Sequence, residues 1–509
     1  MNKFMNGLKT ATNYTYTENG AVVHKSTLSD LMDLFAFGGA YRSRSDADVI
    51  TLFSNAFNEN ETYALKCLFY LRDVRGGQGE RRFFRVCMKW LAKNHPEAAR
   101  RNLAHIPEYG RWDDLYVFAD TPLEKDALHF MKKQLALDVQ CKTPSLLAKW
   151  LKSENASSRE TRRLATKTRQ HFGMTAKQYR KTLSVLRSRI NVLEKLMSEG
   201  RWDEIEFDKI PSRAGMIYRN AFARHDIERM RADKELQSYA DFARDDSKSV
   251  NAKTLYPYEC VGEVLKHREW VWGTGIQINV SETERLMLNK YWANLADYIN
   301  GASFNGIAVV DTSGSMCGSG VGAPINVALS LGLYCAEKAK GPYAEHFITF
   351  SESPTLVRVE GVDFCDKVNR MMGANWGMNT NIEAVFDMLL NVALNNQCSQ
   401  DEIPQNLIII SDMEFDSCIT NNRYRKVSKS ENTLFDNLAA HWAMFGYKLP
   451  HIIFWNVNAR HNNIPMLGNG PVSFVSGFSP AIFDSILSGK TGEELMMDKL
   501  NSERYAVIK

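Results

Sequence analysis

The stretch Gly306-Ile307-Ala308-Val309-Val310-Asp311-Thr312-Ser313-Gly314-Ser315 decides how this chain is read. An unbroken apolar run closed by Asp, Ser and Gly is the pattern of a strand buried on both faces that ends in a loop. On that loop Asp311, Ser313 and Ser315 stand at alternate positions. One carboxylate and two hydroxyls so spaced can turn toward a single point, and oxygen donors of that kind suit a hard divalent cation, Mg2+ first among them. The competing reading is a plain turn, because Asp, Ser and Gly also cap backbone groups without binding anything.

Two further positions favour the metal. Asn406-Leu407-Ile408-Ile409-Ile410-Ser411 is a second buried-strand pattern, and Asp412 follows it directly. Open α/β sheets place their ligands at such carboxyl ends. Thr380, in the loop-like stretch Trp376-Gly377-Met378-Asn379-Thr380-Asn381, adds another hydroxyl. The expected site for Mg2+, or another divalent cation, is therefore Asp311, Ser313, Ser315, Thr380 and Asp412. Catalytic readings of the same residues fit less well. An aspartic-protease dyad would need a second Asp-Thr/Ser-Gly, and a phosphatase with an Asp nucleophile would want Asp where Ser313 stands.

From residue 300 onward, strand and helix patterns alternate. Helices are expected over 323–339, 382–394 and 434–445, and strands at 346–350, 355–359, 407–411, 451–455 and 472–475. That alternation predicts a doubly wound, mainly parallel α/β domain over 300–509. Residues 51–299 read differently, as paired helices in a repeat-like array, HEAT-like in type. Gly110-Arg111-Trp112-Asp113-Asp114-Leu115 returns there as Gly200-Arg201-Trp202-Asp203-Glu204-Ile205. Each copy opens a new element, with Trp112 and Trp202 expected as core anchors. Residues 1–50 are expected as an N-terminal arm, flexible or packed against another domain.

The net charge of +4 hides an asymmetry: 48 Lys and Arg face 38 Asp and Glu in residues 1–300, against 15 and 21 in residues 301–509. Between Lys149 and Lys195 thirteen basic residues meet three Glu. Within that span Arg159, Arg162, Arg163, Lys167, Arg169, Lys177, Arg180, Lys181, Arg187 and Arg189 are expected to bind a polyanion such as RNA. A solvated helix face is the plainer alternative. Arg75-Gly76-Gly77-Gln78-Gly79-Glu80-Arg81-Arg82 invites a phosphate-loop reading, but it lacks Gly-Lys-Ser/Thr and a preceding strand. A tight turn is expected there, with phosphate contact by Arg72, Arg75, Arg81 or Arg82 as the lesser alternative.

The nine Cys are odd in number and scattered without a Cys-x-x-Cys pair, as in a reducing compartment. No apolar run approaches the roughly 20 residues needed to span a bilayer, and no secretory leader is evident. A soluble, cytoplasmic protein is expected.

Several of these segments together resemble a known family. Leu71-Arg72-Asp73-Val74-Arg75-Gly76-Gly77-Gln78-Gly79-Glu80-Arg81, Arg224-His225-Asp226, Asp311 to Met316, Trp376 to Thr380 and Ser411-Asp412-Met413-Glu414-Phe415-Asp416 look like a family of plant, giant-virus and phage proteins. That family is similar in architecture to the Ro autoantigen, in which a helical-repeat module, TROVE, closes into a ring with a von Willebrand factor A domain. The ordered set Asp311, Ser313, Ser315, Thr380 and Asp412 resembles the metal-ion-dependent adhesion site of such domains. The resemblance implies a TROVE-like basic domain over 51–299 that holds small noncoding or misfolded RNAs. It also implies a Mg2+ site whose open position takes an Asp or Glu from a protein partner, with no catalysis required. A metal-dependent adaptor that does not bind RNA is the alternative, and a metal-dependent hydrolase ranks behind both for want of a general base.

Overall fold

The computed structural model describes residues 3–190, 192–232, 235–271, 275–299, 305–318, 320–350, 353–373, 381–416, 433–467, 472–486, 490 and 492–509. The chain divides into two compact units. One comprises Met1–Cys67, Gly76–Gln78 and Leu255–Tyr505, and the other Leu68–Arg75, Gly79–Thr254 and Ala506–Lys509. These divisions differ from the expected 1–50, 51–299 and 300–509. Residues on both flanks of the helical region pack instead with the sheet.

Among the described residues the first unit holds the strands β1 (Tyr14–Tyr16), β2 (Val22–His24), β3 (Arg268–Val271), β4 (Gly275–Ile278), β5 (Gly306–Asp311), β6 (His346–Phe350), β7 (Leu356–Arg358), β8 (Asn406–Ser411), β9 (His451–Asn456) and β10 (Val472–Ser476). The last six form one sheet in the order β10-β9-β8-β5-β6-β7, parallel except for the β6/β7 edge. β5 and β8 are buried almost throughout, which is why both read as continuous apolar runs. The chain moves outward from β5 to β6 and β7, then returns to the other side of β5 as β8. The strand order therefore reverses between β5 and β8, where ligands bind in open α/β sheets. The helices Pro324–Lys338, Ile382–Asn395 and Leu434–Met444 lie within a residue or so of their expected limits.

The two hairpins β1/β2 and β3/β4 lie in stretches expected as arm and helical array. Both are too short to show a clear two-residue alternation. Residues 13–48 are built into the sheet unit. β2 bridges Ile464, and the helix Asp30–Phe37 packs on β10. Ser476 Oγ accepts from Gly39 N at 3.0 Å, so close that a Cβ at Gly39 would sit 2.6 Å from Ser476 O. Ala459 N donates to Ala40 O, and Tyr41 Oη to Asn462 Oδ1. Gln78, from the glycine-rich segment, is fully buried and accepts from Ser479 N at 3.2 Å.

The second unit is helical. Its α-helices include Arg81–Asn94, Glu124–Gln140, Arg159–Phe172, Ala176–Arg189, Leu193–Ser198 and Ser212–Arg224. The expected helix 176–200 is broken near residue 190, and 213–231 is broken at His225. A buried ion network organises this unit. Arg72 bonds Asp114 at 2.9 and 2.7 Å, and Arg85 reaches both Asp114 at 2.7 Å and Asp113 at 3.0 Å. Arg72 is 2% exposed and wholly committed to this pair, so it is no phosphate ligand. The repeated Gly-Arg-Trp-Asp segments each open a 3-10 turn. Trp202 is buried and stacked on His225, whereas Trp112 is only half-buried against Phe130. The second copy is thus a core anchor, and the first lies at the surface edge of its core.

Candidate metal centre and basic face

Asp311 ends β5, and the parallel register that pairs Val310 with Ile410 sets Ser411 beside it. Ser411 Oγ donates to Asp311 Oδ2, while Ser313 N donates to Asp311 Oδ1 at 2.9 Å. The Ser313 and Ser315 hydroxyls are 2.9 Å apart, and the Ser315 hydroxyl lies on the Asp412 side, where it helps to lower that carboxyl's pKa. Three of the five expected ligands, Asp311, Ser313 and Ser315, therefore form one hydrogen-bonded cluster at the switch point, and Asp412 stands beside it directly after β8. Thr380 lies outside the described residues.

Asp311 and Asp412 are both fully buried, whereas Gly314 is exposed and Ser315 half-buried, so the cluster reaches solvent on its hydroxyl side. Burial raises the Asp311 pKa. Burial first, and then the charge of Asp311, pushes Asp412 up to about 7, against the opposing pull of Arg460 and Ser315. Two buried carboxylates that resist ionising together are what a bound cation relieves. Among the described residues no trio of His, Cys, Asp or Glu gathers at metal distance. The donors here are two carboxylates and two hydroxyls, a hard oxygen set that fits Mg2+ better than Zn2+.

The sequence marks Glu414 as an acidic neighbour of Asp412, but not Arg460 or the residues of the β1/β2 turn. Arg460, on the loop after β9, lies 3.2 Å from Asp412 Oδ2 and 2.6 Å from Glu18 Oε2. Glu414 is buried, accepting from Glu18 N at 2.8 Å and facing His461 Nδ1 at 2.9 Å. Thr17 Oγ1 donates to Phe415 O, and Asn19 Nδ2 to Glu414 O, both at 2.6 Å. The β1/β2 turn is thereby tied to the loop that follows Asp412. Glu18 and Arg460 carry no local pattern that marks them, whereas Ser411 and Glu414 stand within two residues of Asp412 in the sequence.

In the helical unit the ten basic candidates separate into two groups. Arg163 is paired with Asp120 and Glu160, Lys167 with Asp120 and Glu124, and Arg169 with Glu154. Arg162 donates to the carbonyls of Ala156 and Ser157, Arg189 to that of Val139, and Arg187 to those of Ala148 and Leu151. The span from Lys149 to Lys195 itself offers only Glu154, Glu160 and Glu194. Asp120 and Glu124, from an element distant in sequence, take up Arg163 and Lys167. Arg159, Lys177, Arg180 and Lys181 are exposed and have no ion-pair partner among the described residues. Lys177, Arg180 and Lys181 share one face of the helix Ala176–Arg189 by their three- and four-residue spacing.

A parallel α/β sheet with a carboxylate and hydroxyl cluster at its switch point, joined in one chain to a helical unit with an exposed basic face, is the class these features define. The chain belongs to the family described as "Domain of unknown function (DUF2828)", whose model matches residues 17–133 and 136–303. A second model, "Domain of unknown function (DUF7788)", matches residues 305–506. The chain is 31% identical to an uncharacterized protein of Acanthamoeba polyphaga mimivirus over 522 residues, covering 95% of this chain and 86% of that protein. Among solved structures it is similar to the Ro (RSR) protein of Deinococcus radiodurans, with 15% identity and a TM-score of 0.47, over 94% of this chain and 100% of that one. No described helix is long and apolar enough to cross a membrane.

Proposed function

We propose that this protein binds small noncoding or misfolded RNA on its helical unit, in the manner of Ro-like proteins, and carries a Mg2+-dependent site for a protein partner. The observation that carries the RNA reading is the row Lys177, Arg180 and Lys181, exposed on one helix face and without carboxylate partners among the described residues, in a region where Arg163, Lys167 and Arg169 are paired. Charge left unneutralised on one helix face is what phosphate contacts use, and such contacts position the nucleic acid without reading its sequence.

In the sheet unit Asp311, Ser313, Ser315 and Asp412, with Thr380, would hold the metal as a von Willebrand factor A domain does. A bound Mg2+ would offer a coordination position to an Asp or Glu of the partner. Asp311 is oriented by Ser313 N and Ser411 Oγ, and the Ser315 hydroxyl is held on that of Ser313 at 2.9 Å. This assignment involves no catalysis. A metal-dependent adaptor without RNA binding is the second reading, favoured by the hydrogen-bonded set Asp311, Ser313, Ser315 and Ser411 beside the buried Asp412.

The test is fluorescence anisotropy with a hairpin RNA bearing a single-stranded 3′ tail, against the same hairpin blunt-ended, over a salt series and with Asp311→Ala alongside. Salt-sensitive, tail-dependent binding that survives Asp311→Ala supports the first reading. Absence of RNA binding at low salt leaves the adaptor, to be sought as a partner captured only with Mg2+.

A further inference from the structure

A groove of about 730 Å3 opens in the helical unit between the segment Lys149–Asn155 and the helix Ala176–Arg189. Its volume falls within the roughly 300–1,000 Å3 of small-ligand sites. Three features set it apart from an ordinary surface depression. The first is a fixed aromatic wall. Trp150 lines the groove, half-buried, with the Arg111 guanidinium 3.9 Å from its ring centroid. Arg111 is itself held by both oxygens of Asp113 at 2.8 Å, so the indole rests on a support that is already locked.

The second is a braced loop. Arg187 donates to Ala148 O at 2.8 Å, Leu151 O at 3.0 Å and Ser153 Oγ at 3.3 Å. Arg187 is thereby a positioning residue that keeps Trp150 and Ser153 in place, with few donors left for a ligand. The third is free charge at the mouth. Arg180 lines the groove, and Lys181 adjoins it on the same helix; both are exposed and unpaired among the described residues. The two acidic wall residues are already engaged, Glu154 by Arg169 at 2.7 Å and Glu194 by Lys149 at 3.4 Å.

We infer that this groove takes a short single-stranded segment of RNA, with a base stacked on Trp150 and the adjoining phosphates on Arg180 and Lys181. A rigid aromatic platform beside unpaired cations is the chemistry by which single strands are held with little sequence preference, since every base has a π face. A duplex keeps its bases stacked on one another and cannot use the indole. Ser153, Asn155 and Ser184 line the same groove and can serve as donor or acceptor to a base edge of any type. An acidic peptide would use the cations but leave the platform idle. The inference rests on the RNA-binding reading above and names its single-strand subsite.

The experiment compares the full-length wild type with Trp150→Ala and Trp150→Phe, using a fluorescein-labelled oligoadenylate, the blunt hairpin and a polyglutamate peptide as probes. Trp150→Ala should weaken oligoadenylate binding about 5- to 150-fold, the range of one base–aromatic stack. It should leave the blunt hairpin unchanged, and Trp150→Phe should restore most of the affinity. A thermal melt of each variant identifies loss of fold, and Trp150→Phe keeps the test decisive if Trp150→Ala unfolds. Equal oligoadenylate affinity in wild type and both variants overturns the subsite while leaving RNA binding intact. Polyglutamate binding with the same dependence on Trp150 overturns it in favour of a protein occupant. If no RNA binds the wild type at all, the broader reading falls with it.

Discussion

Arg460 stands between Asp412 and Glu18, its guanidinium 3.2 Å from one carboxylate and 2.6 Å from the other. Asp412 is fully buried, Glu18 is at the surface, and Arg460 joins a deep charge to an N-terminal turn. Replacing it with Ala removes the only cation that the described residues bring to the cluster. Breaking a fully buried pair costs about 3–5 kcal/mol. Arg460 is partly exposed, so the expected loss is smaller, about 2 kcal/mol. Added Mg2+ should raise the melting temperature of Arg460→Ala more than that of wild type, because a ligand stabilises the state that needs it. Equal Mg2+ shifts in the two proteins would separate Arg460 from the metal site.

The raised pKa of Asp412 gives a pH dependence of definite sign. Between its ordinary value of 3.8 and about 7 the folded protein keeps a proton that the unfolded chain has lost. Stability of the metal-free protein should therefore fall as pH rises through that window, by up to about 1.4 kcal/mol per unit. Mg2+ requires the ionised carboxylate, so its stabilising effect should grow over the same range. Urea melts at pH 5, 6, 7 and 8, with and without Mg2+, would show the two trends crossing. Parallel curves would contradict the assignment.

Asp114 is the acceptor shared by Arg72 and Arg85 and takes the backbone N–H of Arg111 at 3.0 Å. Asp114→Ala would leave the buried Arg72 guanidinium unpaired, at a cost of about 3–5 kcal/mol to the helical unit. Chemical denaturation followed by far-ultraviolet circular dichroism measures this. A loss below about 1 kcal/mol would mean that the network is replaceable.

The paired and unpaired cations should behave differently toward RNA. Reversing Lys177, Arg180 and Lys181 to Glu removes three phosphate-facing charges, and the salt slope should drop by about 2, at about 0.7 per single-strand contact. Reversing Arg163 and Lys167 should leave the slope nearly unchanged, since Asp120 and Glu124 already neutralise them. A larger effect from the second pair than from the first trio would place the RNA on the other helix.

Gly477 has φ +103°, and a Cβ there would meet Gln78 Oε1 at 2.3 Å. Gly477→Ala should cost about 1–3 kcal/mol through backbone strain and overpacking. Differential scanning calorimetry would register it as a lower melting temperature.

What the sequence determined by itself is the sheet and four of the residues gathered at its switch point. Buried parallel strands must be apolar on both faces, so β5 and β8 stand out as unbroken runs. Asp311 and Asp412 follow those runs directly, and chain order alone puts them at strand ends. The general helical character of residues 79–254 was legible in the same way, from local spacing. Local patterns carry no information about partners distant in the chain. That is why tertiary structure alone paired Arg163 and Lys167 with Asp120 and buried Arg72 on Asp114. For the same reason Lys177, Arg180 and Lys181 emerged, with Arg159, as cations without an ion-pair partner among the described residues. It also tied Glu18 to Arg460 across the sheet unit, because a salt bridge depends on where two backbones meet in space and leaves no mark at either position in the sequence.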